Sequence, residues 1–149
     1  MVVTFTNEYA NDLRRLSELY KKAGDIKSCK KYLVMLLREY QMSMHDFREY
    51  RTLFSPDEWI EEREKILTII HMNHVKEILY EEKLYDRLMD NFGRMSGIDE
   101  MQMYEKELGK RYPKRVAEWY CAEAQYLMEE QRANSQQCHR WLLKVQIRW

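Results

Sequence analysis

Glycine and proline punctuate this sequence sparsely, and where they fall points to one fold class. The 149 residues hold four glycines, Gly24, Gly93, Gly97 and Gly109, and two prolines, Pro56 and Pro113. They stand between periodic segments rather than inside them, the signature of helices joined by short turns. No segment sustains the alternation of a half-buried strand. The chain therefore reads as all-α, with about eight or nine helices.

The periodic segments can be taken in order. Leu13, Leu16, Leu19 and Tyr20 recur at helical spacing up to Gly24, which suits a left-handed C-terminal cap. Cys29, Tyr32, Leu33, Leu36, Leu37 and Tyr40 form the apolar side of the next helix, giving a first antiparallel pair. Ser43 with Asp46 suits a new helix start, although Met44 and Phe47 continue the apolar stripe from Tyr40 and a continuous helix also fits; Ser55-Pro56-Asp57-Glu58 predicts another start with more force. There the Ser55 hydroxyl and the Glu58 carboxylate can close a capping box, Pro56 needs no N–H, and Phe54 and Trp59 stand where a hydrophobic staple would form. Trp59, Ile66, Leu67 and Ile70 line the helix that follows. Asn73 marks a short turn, Val75, Ile78, Leu79 and Tyr80 form a further apolar set, and Leu84, Tyr85, Leu88, Met89 and Phe92 begin the next helix. Met101, Tyr104 and Leu108 lie on a helix expected to end at Gly109. Pro113 opens another, whose buried face should be Val116, Trp119, Tyr120, Ala124, Leu127 and Met128. Asn134-Ser135 is expected to break it before a last helix bearing Cys138, Trp141, Leu142 and Val145.

A weak internal repeat joins these pieces. Leu19-Tyr20-Lys21-Lys22 before the Gly24 corner matches Leu79-Tyr80-Glu81-Glu82 before the Lys83 corner. A helix pair that cannot bury its own apolar face must stack on a neighbour, so repeated pairs imply a right-handed superhelix of antiparallel helix pairs. A compact irregular bundle is the alternative.

Charge and cysteine content narrow the function classes. The 25 basic and 25 acidic residues cancel. Residues 1–55 carry ten Lys/Arg against seven Asp/Glu, residues 56–110 eight against fourteen, and residues 111–149 seven against four. A neutral chain exerts no general pull on nucleic acid, although Arg14, Arg15, Lys21, Lys22, Lys27, Lys30 and Lys31 make the first helix pair basic. Three widely spaced cysteines, Cys29, Cys121 and Cys138, read as reduced packing residues of a cytoplasmic chain, not as a disulfide framework. The longest apolar run, Tyr32 to Leu37, is far short of the roughly 20 residues that span a bilayer.

The order of motifs carries a resemblance. Tyr32-Leu33 through Leu36-Leu37, Phe47 with Tyr50-Arg51, Ser55-Pro56-Asp57-Glu58-Trp59 with Arg63-Glu64-Lys65, Ile78-Leu79-Tyr80-Glu81-Glu82, Tyr85-Asp86-Arg87, Arg111-Tyr112-Pro113-Lys114-Arg115-Val116 and Trp141-Leu142-Leu143-Lys144 together resemble the C-terminal helical region of bacterial SWIM zinc-finger proteins. That region is similar to a tetratricopeptide-type array. The resemblance implies an interaction domain over residues 1–149. It implies neither zinc nor DNA binding, because the Cys-x-Cys and Cys-x-His pairs of the finger are absent. Members of that family continue with further helices, so the chain is expected to be a fragment of a longer array or a short stand-alone relative.

No motif predicts a reaction. His71 and His74 share a helix-like spacing but are two ligands where a structural zinc site takes four. Cys121, Cys138 and His139 fit packing better than nucleophilic catalysis. Phosphate loops, nucleophile motifs and cofactor fingerprints are absent, so no catalytic residue, metal or cofactor is expected. The Arg/Tyr pattern of Arg38, Tyr40, Arg48, Tyr50 and Arg51 suits a protein-binding surface, since Tyr and Arg dominate hot spots. The stripe containing Trp141 and Leu142, with Trp149, is the expected self-association surface, most simply of a homodimer. The functional expectation is a non-catalytic protein–protein interaction scaffold. A regulatory module of a nucleic-acid-binding protein is the alternative, and an unrecognised enzyme the third.

Overall fold

The computed structural model describes residues 2–93 and 96–147, with the side chains of residues 2–7, 138, 139 and 141–147 outside the description. Eight α-helices account for most of it: α1 (Val2–Lys22), α2 (Ile26–Leu37), α3 (Met44–Arg51), α4 (Pro56–Ile69), α5 (Val75–Glu81), α6 (Tyr85–Asp90), α7 (Ile98–Arg111) and α8 (Pro113–Ile147), with a single 3-10 turn at Met72–His74 before α5. No strand occurs among the described residues. The chain divides into two compact units, residues 1–83 and 84–149.

Local chemistry sets the helix ends of the first unit. Gly24 takes φ +78° and donates to Lys21 O, while the Asp25 N–H reaches Tyr20 O, the paired bonds of a Schellman cap. Asp25 then starts α2 by accepting from the Ser28 N–H. Capping boxes start α3 at Ser43 with Asp46 and α4 at Ser55 with Glu58. The staple expected at α4 forms, with the Phe54 and Trp59 rings 5.9 Å apart. The corner after α5 uses Lys83 at φ 57°, the left-handed region that Gly24 occupies after α1. The two corners matched in sequence thus share a backbone conformation.

The core of this unit runs from Ala10 and Leu13 through Cys29, Leu33, Leu36 and Leu37 to Phe47, Tyr50, Trp59, Ile66 and Ile78. Leu16 and Leu19, expected on the apolar side of α1, are exposed, because Ala10, Leu13 and Ser17 form the face that α1 buries. Side chains also bridge alternate helices. Arg14 and Lys21 of α1 bond to Asp46 and Glu49 of α3, and Arg48 and Arg51 of α3 bond to Glu81 at the end of α5 and Glu82 just after it. The partners advance together along each pair of helices. Their sequence separations are 32, 28, 33 and 31 residues.

Side chains bridge alternate helices in the second unit too. Tyr112 and Arg115, at the start of α8, bond to Asp86 and Asp90 of α6, and the Trp119 indole N–H reaches Gly93 O. Leu88, Met89, Phe92, Met101, Tyr104, Leu108 and Val116 are buried here. α7 passes through Gly109 and ends at Arg111, because the residue before a proline is driven out of the helical region and Tyr112 sits at φ −133°, ψ 55°.

Two further expectations for α8 need correction. The helix is continuous from Pro113 to Ile147, with no break at Asn134-Ser135. Asn and Ser cost at most about 0.7 kcal/mol each in a helix interior, far less than a proline, so they do not stop one. Ala124, Leu127 and Met128 are exposed rather than buried. Cys121 is exposed as well, whereas Cys29 packs in the core as expected. No helix among the described residues is long and apolar enough to cross a membrane.

Candidate interaction surface

The five residues expected to bind a partner separate into three environments. Tyr50 lies in the interior, 2% exposed, with its ring against Phe54 at 5.0 Å and Trp59 at 6.2 Å. Its hydroxyl donates to Glu62 Oε1 at 2.6 Å. Burial, and then the Glu62 carboxylate, push the phenol far above its ordinary range. Tyr50 is therefore a core residue and is not available to a partner.

Arg48 and Arg51 are engaged in the chain's own ladder at its surface, their side chains 50% and 36% exposed. Arg48 makes a two-pronged bond to Glu81, Nε to Oε1 at 2.8 Å and Nη2 to Oε2 at 3.2 Å, which holds the Glu81 carboxyl below its usual range. Arg51 reaches Glu82 at 2.8 Å. Glu82 also accepts from the Trp59 indole N–H at 3.0 Å and from Arg63 at 3.5 Å, and its side chain is 7% exposed. A buried carboxylate with three donors is well paired, and these arginines are occupied in stacking helix on helix. Asp46 is a second node of the same kind. It takes the Arg14 guanidinium on both oxygens, between 2.9 and 3.1 Å, and the Ser43 N–H at 2.8 Å. Burial alone would raise the Asp46 carboxyl, but the Arg14 and Ser43 bonds outweigh it and hold it below the ordinary value.

Arg38 and Tyr40 lie on the surface outside this ladder. α2 ends at Leu37, so both fall in the turn after it, and Tyr40 is 59% exposed. The segment before α5 holds that tyrosine in place. The His71 ring meets it edge-on at 5.4 Å, and His74 lies 6.1 Å away. His74 Nε2 is 2.7 Å from Tyr40 O, which makes Nε2 the protonated ring nitrogen. His71 is itself occupied, its Nδ1 accepting from the Asn73 N–H at 3.3 Å. Met72, between the two histidines, is 80% exposed. Arg, Tyr and Met in one exposed neighbourhood, with the tyrosine fixed beforehand, make a surface that loses little conformational freedom on binding. Sequence reading missed His71 and His74 as its supports. Only the roughly 30-residue offset that recurs along this unit could have revealed them, since His74 and Tyr40 are 34 apart.

Two hollows among the described residues are small. One of about 90 Å³ lies between α1, α2 and α3, lined by Ser17, Cys29 and Asp46 among others, with burial pushing the Cys29 thiol upward. The other, about 220 Å³, lies beside Phe92 and Trp119 in the second unit. Both are below the roughly 300 Å³ at which pockets begin to enclose a small-molecule ligand. Among the described residues no group of three or more His, Cys, Asp or Glu side chains could hold a metal ion. Trp141 and Leu142 of the expected self-association surface have side chains outside the described residues, and Trp149 lies outside them altogether.

No protein-family model matches the chain, and no curated protein or solved structure matches it either.

Proposed function

We propose that this protein is a non-catalytic scaffold of stacked helix pairs that binds a protein segment through the Arg38–Tyr40–Met72 surface. The observation that supports it is the offset of the ladder: bonds from one helix to the next but one recur at 32, 28, 33 and 31 residues. Helical-repeat units of about 34 residues stack with such an offset, and a right-handed tetratricopeptide-like superhelix is the architecture we assign to it. The resemblance to the helical region of SWIM proteins is in keeping with this reading. Arrays of this kind work by presenting side chains from successive turns, and a clamped, exposed tyrosine beside an arginine is a suitable anchor.

The same bonds weigh against nucleic acid as the partner. Lys21 is paired with Glu49, and Lys30 sits over the Phe54 ring at 4.0 Å, so the basic set of the first helix pair is partly spent within the fold. The test uses the full chain and its Arg38→Glu/Tyr40→Ala variant as immobilised baits at equal load. Proteins retained by the first and lost from the second, with circular dichroism unchanged, are the expected result. Identical retention by both baits, or none by either, overturns the assignment. Nuclease-sensitive retention that collapses between about 50 and 200 mM salt would mean a nucleic-acid partner instead.

A further inference from the structure

Every residue of α8 from Ala124 to Gln137 is exposed, and Leu127 and Met128 in this stretch are 40% and 54% exposed. Most helices owe their stability to a packed apolar face, and this one carries such a face without cover. The spacing is that of a coiled-coil seam. Ala124, Leu127, Gln131 and Asn134 alternate steps of three and four, the a and d positions of a heptad. The helix continues to Ile147, and the same count along the sequence reaches Cys138, Trp141 and Val145.

This seam is symmetric about the midpoint between Arg132 and Ala133, apolar toward both ends and polar in the middle. Laid against a second copy running the opposite way, Ala124 falls opposite Trp141, Leu127 opposite Cys138, and Gln131 opposite Asn134. A small residue thus faces the largest one, apolar faces apolar, and two amides face each other, where exchanged hydrogen bonds fix register. The flanking positions agree: Glu123 comes opposite Lys144, and Glu130 opposite Gln137. A parallel arrangement would stack Trp141 on Trp141 and set Glu123 and Glu130 beside Met128 and Ser135. Its charges would find no partner.

We propose that the protein forms a two-fold dimer in which the α8 helices pair antiparallel along Ala124–Trp141. Each unlike contact then occurs twice, and the assembly closes under its own symmetry. This goes beyond the peptide-binding surface and does not depend on it. The test is sedimentation equilibrium of the full chain across a concentration series. The mass should rise from 18.5 kDa toward twice that value. Leu127→Asp, at a position exposed in the single chain, should abolish the rise without loss of helical signal. Glu123→Lys and Lys144→Glu should each weaken the dimer roughly tenfold, since each breaks two symmetric ion pairs, and the double reversal should restore it to within about twofold. A chain that stays at 18.5 kDa at several hundred micromolar overturns the proposal. So does a dimer indifferent to Leu127→Asp, or one that the double reversal leaves weak.

Discussion

Trp59 donates its indole N–H to Glu82 across 3.0 Å, and this bond joins the staple at the start of α4 to the corner that ends α5. The ring also packs edge-on against Phe47 at 5.5 Å. One side chain therefore links the apolar core to the buried carboxylate that gathers Arg51 and Arg63.

Glu82→Gln should cost about 2–3 kcal/mol, because one amide oxygen cannot serve three donors and Arg51 and Arg63 lose their buried counter-charge. Trp59→Phe should cost about 1 kcal/mol, since Arg63 remains to fill the vacated lone pair. The two act through one carboxylate, so their combination should fall short of the sum by about 1 kcal/mol. Urea denaturation of the four chains measures this. Costs that add to within about 0.3 kcal/mol would show that the bond carries nothing.

Asp46 contributes to the acid limb of stability. Its carboxyl is held below the ordinary value by Arg14 and Ser43, so between the folded and unfolded values the unfolded chain binds more protons. Stability is then fully present above the unfolded value of about 3.9 and is lost as pH falls toward and through the folded one. Asp46→Asn should cost about 2–3 kcal/mol at pH 7 and should shed less further stability than the parent below about pH 4. Urea midpoints at neutral and acid pH decide it. Parallel pH profiles for parent and variant would remove Asp46 from the account.

The two left-handed corners predict opposite responses to opposite changes, a side chain added at one and removed at the other. Gly24 has nothing within 4 Å of where a Cβ would stand, so Gly24→Ala meets only backbone strain at φ +78° and should cost about 1 kcal/mol. Lys83 already bears that strain at φ 57°, and Lys83→Gly should gain up to about 1 kcal/mol. Thermal melts that move in the same direction for both substitutions would contradict the shared corner geometry.

These corners also show what the sequence makes legible. Caps, staple and glycine corner are encoded within a few neighbouring residues, and Ser43, Ser55 and Gly24 act as their spacing predicts. The ladder was not legible, because Arg14 and Asp46 or Arg51 and Glu82 meet only after helices stack, and a charged residue in an amphipathic helix looks the same whether solvated or paired. That is why Arg48 and Arg51 read as binding residues, and why Tyr50, an aromatic between two arginines, read as surface. Tyr40 read both as part of the apolar side of α2 and as binding surface, and it is exposed. Its spacing continues α2, but the helix stops three residues short of it.

The last prediction concerns the continuity of α8, where the expected break at Asn134-Ser135 does not occur. Position 135 is exposed, so its substitution disturbs no packing within the single chain. Ser135→Ala should leave the helix intact or raise its content slightly, since Ala is the better helix former. Ser135→Pro removes an internal N–H and crowds the preceding turn, at a cost of about 3 kcal/mol or more. The residues beyond it are then too few to remain helical alone. Far-UV circular dichroism should therefore fall by roughly a tenth, the share of the helical residues that lie beyond the break, while the thermal midpoint of the core stays unchanged. The self-association seam should be cut in the same variant, because the apolar positions on either side of residue 135 lose their common axis. An unchanged helical signal in Ser135→Pro would mean that the last turns of α8 do not depend on a continuous helix.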